Sequence, residues 1–286
     1  MKKTRKVLAV LLAFVLTVSL SVAGTIAYLT DTDSKVNTFT AGNVKIEQYE
    51  KDRNGKDFVN GQKLLPIVND SKDNNGYHLG TNYIDKIVTV KNTGSEAAYI
   101  RTHIAFPASM DYYEDDMDPA KNMLHWNGAS ANDTFGAANP EGKLDNDWYW
   151  GKDLELDYPT EANSEWVTYQ VTVDDVLYNV YVATHFSAVE AGEETAPNLF
   201  GVYLDKEVNY IEEKEDGKDV GYYVAKIYGV EYKVPATEVE NAKILVVSEA
   251  VQADGFVDTN DNGTAADDAL NTAFGVPGAA DYNPFA

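Results

Sequence analysis

Apolar and polar residues alternate with a period of two through much of this chain, and helical periodicity is scarce. Ala98, Ile100, Ile104 and Phe106 share one parity while Tyr99, Arg101 and His103 take the other, which predicts a strand with one face on a core and one in water. A short β-rich run over 87–91 precedes it, and Asn92-Thr93-Gly94 between them reads as a hairpin turn. A second hairpin is predicted from 166–173, a turn at Asp174-Asp175, and Val176, Tyr178, Val180, Val182 and Phe186 on one face. Further strands are expected over 222–234 and 243–251. Leu245, Val246 and Val247 are successive apolar residues, so both faces of the last strand should be covered, as in the centre of a sheet. Asp118 and Pro119 can start a short helix running to about Trp126. Thr264 and Asp267 resemble a capping box ahead of the stripe Ala266, Ala269, Leu270, Ala273 and Phe274, which Gly275 and Pro277 end. The expectation is an all-β chain, an antiparallel β-sandwich with loop insertions and one or two short helices. The polar stretch 111–146 is expected to be an insertion, and no long linker divides the chain.

Of the 286 residues, 44% are apolar, enough to build a core. The formal charge of −23 argues against binding a phosphate backbone, so nucleic acid is not an expected partner. The absence of cysteine excludes disulfides, thiolate zinc, iron–sulfur clusters and thiol nucleophiles.

Lys2, Lys3, Arg5 and Lys6 precede an apolar run from Val7 through Phe14 that continues with Leu16, Val18, Leu20 and Val22, the pattern of a signal peptide. Residues 7–27 just reach spanning length, so an uncleaved anchor is the competing reading. Small residues permit cleavage after Ala23 or after Ala27. Removal of residues 1–27 leaves 19 cationic against 46 acidic side chains, a formal charge of −27. No apolar tail or LPxTG-type motif precedes Ala286, so no membrane or wall attachment is expected after cleavage.

Four local patterns carry a resemblance. Tyr28-Leu29-Thr30-Asp31 is followed by Asn37-Thr38-Phe39-Thr40-Ala41-Gly42-Asn43-Val44. Val88-Thr89-Val90-Lys91-Asn92-Thr93-Gly94-Ser95 leads into Tyr99-Ile100-Arg101. Ser248-Glu249-Ala250-Val251-Gln252-Ala253-Asp254-Gly255-Phe256 lies near the C-terminus, and Ala191-Gly192-Glu193-Glu194-Thr195 precedes Leu199 and Val202-Tyr203-Leu204-Asp205. In order and spacing these resemble the TasA and camelysin group of exported matrix proteins, leaving about 45–85 and 110–160 unmatched. The resemblance implies a jelly-roll sandwich, secretion to an extracellular matrix or cell surface, and an ER-type signal peptidase as partner during export. It also implies cleavage between Ala27 and Tyr28, because Thr25-Ile26-Ala27 matches the group's T-x-A motif, leaving 28–286 as a single elaborated domain.

Several members of that group assemble into fibres in which an N-terminal strand completes the next subunit's sheet. Here the donor would be 28–37, with Tyr28, Leu29, Thr30, Asp31, Val36 and Asn37 meeting the neighbour. The segment 28–46 lacks proline and carries Val36, Phe39, Val44 and Ile46, so its backbone can pair as a strand. The simpler alternative makes 39–48 the first strand of the subunit's own sandwich.

Enzymatic and binding signatures are sparse. His78, His103, His125 and His185 show neither H-E-x-x-H nor a paired helical spacing, and His103 and His185 fall on outward parities where solvent is expected. No G-x-S-x-G occurs. No catalytic residue, metal ligand or cofactor site is assigned. Asp258-Thr259-Asn260-Asp261-Asn262-Gly263 has the early spacing of an EF-hand loop, but Ala269 stands where the closing carboxylate belongs. It reads as a polar turn, and Glu114-Asp115-Asp116 with Asp111 and Asp118 as a solvated acidic loop. Weakly held calcium is the one cofactor left open. Trp148-Tyr149-Trp150 is read as packing in preference to a sugar platform. The expected function is a homopolymeric matrix or surface-fibre subunit, with an accessory matrix protein left open as partner. Its rivals are a camelysin-like metallopeptidase, which requires zinc, and an acidic adhesion or carbohydrate-binding module.

Overall fold

The computed structural model describes residues 44–69, 71, 80–113, 119–126, 148–149, 167–185, 187–256 and 265–286. In chain order its strands and helices are β1 (Ile46–Lys51), β2 (Ile84–Asn92), β3 (Ala98–Pro107), β4 (Leu124–Trp126), β5 (Trp148–Tyr149), β6 (Thr168–Val173), β7 (Val176–His185), β8 (Leu199–Leu204), β9 (Asn209–Glu215), β10 (Lys218–Ile227), β11 (Val230–Pro235), α1 (Ala236–Glu240), β12 (Leu245–Gln252) and α2 (Ala265–Phe274). Three antiparallel sheets result. One runs β1-β2-β8-β4, the second β12-β3-β7, and the third is the meander β11-β10-β9. In the second sheet β6 and β5 share the far edge of β7, pairing with successive parts of it.

The first two sheets face one another across an apolar core, as the alternation requires. Ile84, Val88 and Val90 project from β2, Ile100, Ile104 and Phe106 from β3, and Leu199, Val202 and Leu204 from β8. Three rings join the layers: Phe106 of β3 stacks on Trp126 of β4 with centroids 4.9 Å apart, and Tyr181 of β7 meets both edge-on. Such ring pairs add about 0.5–1.5 kcal/mol each beyond area burial. Gly201 is required where β8 crosses β2, since a Cβ there would lie 2.4 Å from the Ile84 carbonyl oxygen.

The hairpin at Asp174-Asp175 forms as expected, with both residues at positive φ and six registered pairs between β6 and β7. The Asn92-Thr93-Gly94 turn is different. It connects β2 in one sheet to β3 in the other, so it is an arch between layers and not a hairpin. Buried Asn92 organises it: Nδ2 donates to the carbonyls of Glu96 (2.7 Å) and Val189 (2.8 Å), and Oδ1 accepts from Gly94 N at 3.0 Å.

The helix expected up to Trp126 is replaced by a single 3-10 turn, Pro119–Lys121, followed by β4. Leu124 and Trp126 share a strand parity, and both are fully buried against β8. Thus part of the stretch 111–146 builds the core sheet. The strand expected over 222–234 is split by a turn at Tyr228-Gly229, both at positive φ, into β10 and β11. The predicted C-terminal helix is α2; Ala266, Ala269 and Leu270 are buried, and Gly275 at φ 96° ends it.

Candidate functional site

β12 combines two features that seldom coincide. Seven of its eight residues are buried and Gln252 is half-buried, as predicted from its unbroken apolar run. Yet it is the terminal strand of its sheet: β3 pairs with one edge from Leu245↔Ala105 to Gln252↔Ala98, and among the described residues no strand pairs with the other. The expectation of a central strand is therefore corrected in its pairing, though not in its burial. The cover comes from both faces. Val246 and Ala250 face the core, while Leu245 packs with Tyr169 and Val180, and Val251 packs with Ala266, Ala269 and Leu270 of α2.

At the open edge a side chain from β1 of the facing sheet makes contact. Gln48 Nε2 donates to the Val246 carbonyl at 3.2 Å, and Ser248 Oγ donates to Gln48 Oε1 at 2.8 Å. A side chain thus engages a backbone acceptor that a neighbouring strand would otherwise use.

The outer face of β12 carries a buried charge. Glu249 Oε2 accepts from Arg101 Nε (2.9 Å) and Nη2 (2.7 Å) across the β3 pairing. Arg101 Nη1 donates to Asn271 Oδ1 of α2 at 2.8 Å, and Nη2 lies 3.2 Å from the Gly275 carbonyl. Tyr282, from the chain after α2, donates to Glu249 Oε1 at 2.9 Å and lies 2.7 Å from His103 Nε2. Tyr169 of β6 meets His103 Nδ1 at 3.2 Å. Burial disfavours the imidazolium and lowers the pKa of His103. Burial also opposes charge on Glu249, but the hydrogen bonds from His103 and Arg101 and the Arg101 charge outweigh it and hold the carboxyl below its ordinary value. The arrangement is a closed, satisfied network that fixes the C-terminal segment over the sheet.

Sequence reasoning missed this cluster. Arg101 and His103 were expected in solvent from their parity; both are buried because α2 and Tyr282 cover that face. The available signal was Glu249, one charge inside the apolar run 245–251, which implies a buried partner. His185 is also buried, with Nδ1 at 2.7 Å from the Ser187 carbonyl oxygen and its ring edge-on to Trp148. Buried His125 contacts Asp205 Oδ2 through Nε2 at 2.8 Å and stacks on Tyr203. The three described histidines have separate partners, and among the described residues no group of three His, Cys, Asp or Glu is placed to hold a metal.

Trp148 is buried and donates Nε1–H to the Ala196 carbonyl at 2.8 Å, so it packs as expected. Asp111 is not solvated: it is buried and accepts from Tyr181 Oη (2.7 Å), Asn179 Nδ2 (2.9 Å) and Asn122 Nδ2 (2.5 Å). Burial pushes its pKa up to about 7 against the pull of the donors from Tyr181 and Asn179.

Ala27 and Tyr28 at the expected cleavage point lie outside the described residues, as do Leu29, Thr30, Asp31, Val36 and Asn37. So do His78, Trp150, 114–118 and 258–263. The described chain opens at Val44 and enters β1, whose Gln48 reaches the β12 edge. Comparison of the chain with protein-family models, with curated proteins and with solved structures finds no match.

Proposed function

We propose that this chain is a secreted structural subunit of an extracellular matrix or surface fibre, in which residues 28–37 of one subunit pair with the open edge of β12 in the next. The edge itself is the observation that carries the reading. It offers eight residues of extended backbone between faces already covered, with no partner strand among the described residues. Eight residues span about 27 Å, which a ten-residue donor can match. A strand arriving there forms its ladder through backbone groups, displaces Gln48 from the Val246 carbonyl, and needs little further burial of its own. The same chain lacks cysteine, so disulfides cannot join subunits, and strand pairing is the proposed means of joining them.

The test compares protein beginning at Tyr28 with protein beginning at Phe39, by electron microscopy and sedimentation after identical incubation. Fibres from the first and monomers from the second are expected. Equal assembly by both overturns the donor assignment, and monomers from both overturn self-assembly.

A further inference from the structure

Lys86 occupies the inward parity of β2, between Ile84 and Val88, and its side chain is 2% exposed. A lysine turned into a sandwich is unusual, because its ammonium must find compensation there. Its Nζ lies 2.5 Å from Oε2 of Glu50 on β1 and 4.5 Å from the ring centroid of Phe58. Glu50 is in register with Val88, so Lys86 is its diagonal neighbour on the same face. The second carboxylate oxygen, Oε1, accepts from Gln48 Nε2 at 3.2 Å. Gln48 is oriented in turn by Val246 and Ser248 of β12. An amine therefore stands against one oxygen of a carboxyl group, an amide donor holds the other, and an aromatic ring flanks the amine.

These are the components of an amide-forming site: a positioned nucleophile, an electrophilic carbon and a donor for the oxyanion. We propose that Lys86 and Glu50 condense into an intramolecular isopeptide bond that joins β1 to β2. Proton transfer from Nζ to Oε2 across their 2.5 Å contact gives a neutral amine and a carboxylic acid, the two forms that react. Nζ then attacks Cδ, and Gln48 Nε2 stabilises the negative charge that develops on Oε1. The Cδ–Oε2 bond breaks, and Oε2 departs as water with its own proton and one from the nitrogen. The products are a secondary amide and one water, and no oxidant, metal or other co-reactant is consumed.

The bond would close a loop between positions 36 residues apart and prevent β1, a terminal strand of its sheet, from peeling away. In a chain without cysteine it supplies the covalent restraint that a disulfide gives elsewhere. This inference is independent of the fibre reading.

The test is mass spectrometry of the full-length protein after denaturation and tryptic digestion. The expected result is a single branched species containing Glu50 and Lys86, lighter by one water than its two component peptides, with no cleavage after Lys86. Lys86→Arg should restore separate peptides of full mass. Gln48→Ala should slow conversion in a time course after synthesis, and an unchanged rate overturns the part assigned to Gln48. Cleavage after Lys86 in the wild-type chain, with both peptides at full mass, overturns the bond itself. That reading is taken on denatured wild-type protein, so it does not depend on whether a variant folds.

Discussion

β12 and β9 are both terminal strands, but they present opposite surfaces. β9 is exposed on both faces and carries Glu212, Glu213, Lys214 and Glu215. Its meander is laced with surface pairs, Lys233 with Glu213 and Lys214 with Asp219, each at 2.6 Å. Charge along a solvated edge deters another chain from adding to it. The single charged residue of β12, Glu249, is turned onto the outer face and neutralised by Arg101. Its edge therefore lacks the protection that β9 has, and the contrast separates an edge kept for solvent from one suited to a partner. β1 is intermediate: a tight turn brings Asp57 and Phe58 back against its last two residues, covering that end.

The comparison can be broken first at the donor. Val36→Pro removes a backbone N–H from the pairing segment. Electron microscopy should show complete loss of fibres, while thermal unfolding of the monomer stays unchanged. Val36→Thr, which keeps the β-branched shape, should weaken assembly by about 1 kcal/mol through lost apolar burial. If Val36→Pro unfolds the subunit, the segment belongs to its own sandwich.

The next largest effect lies on the covered face of β12. Arg101→Met leaves Glu249 buried without its cation and should cost about 3–5 kcal/mol, read by urea denaturation. The companion Arg101→Met, Glu249→Leu variant should recover most of that loss, because an apolar pair needs no compensation.

Asp111 should make stability depend on pH. Its folded pKa of about 7 lies above the ordinary 3.8, so the folded state binds its proton more tightly than the unfolded state does. This contribution is complete below about 3.8, falls as pH rises, and is lost above about 7. Linkage sets its upper bound at about 4 kcal/mol, reduced as Asn122, Asn179 and Tyr181 adjust around the carboxylate. Urea titrations across this range should show the decline, and Asp111→Asn should flatten it. Assembly should quicken toward the sequence pI of 4.4 and in salt, as self-repulsion falls.

The smallest effect belongs to the solvated edge. Lys233→Gln breaks an exposed pair and should leave both the unfolding midpoint and assembly unchanged, since such pairs contribute little. A fibre defect in that variant would show that the meander takes part in contacts.

Alternation in the sequence was sufficient to find β3 and the β6–β7 hairpin, and the successive apolar residues 245–247 the burial of β12, because each depends on residues close together in the chain. It did not reveal which strands share a sheet. Asn92-Thr93-Gly94 has the composition of a hairpin turn, and only the hydrogen bonds of Asn92 to Glu96 and Val189 distinguish it as an arch. The burial of Arg101 and His103 was equally hidden, since their cover arrives from Asn271 and Tyr282. β9 carries too few apolar residues to register as a strand; its pairing with β10 defines it. Of the proposed site, the donor was suggested by sequence and the acceptor emerged only from the order of strands.

The pairing of β3 with β12 also governs when the molecule can be completed. Arg101 meets Glu249 across 148 residues, and Gln48 reaches Val246 across 198. Contacts of such sequence separation slow folding, because loop-closure entropy is lost before the contacts form. During synthesis from the N-terminus, β3 has no β12 beside it until residue 252 has emerged. The second sheet is thus finished by its last strand in chain order, so the edge proposed as acceptor exists only after residue 252 has been made. Chains ending before residue 252 would lack that edge, and under the proposed strand addition they could not accept a neighbour.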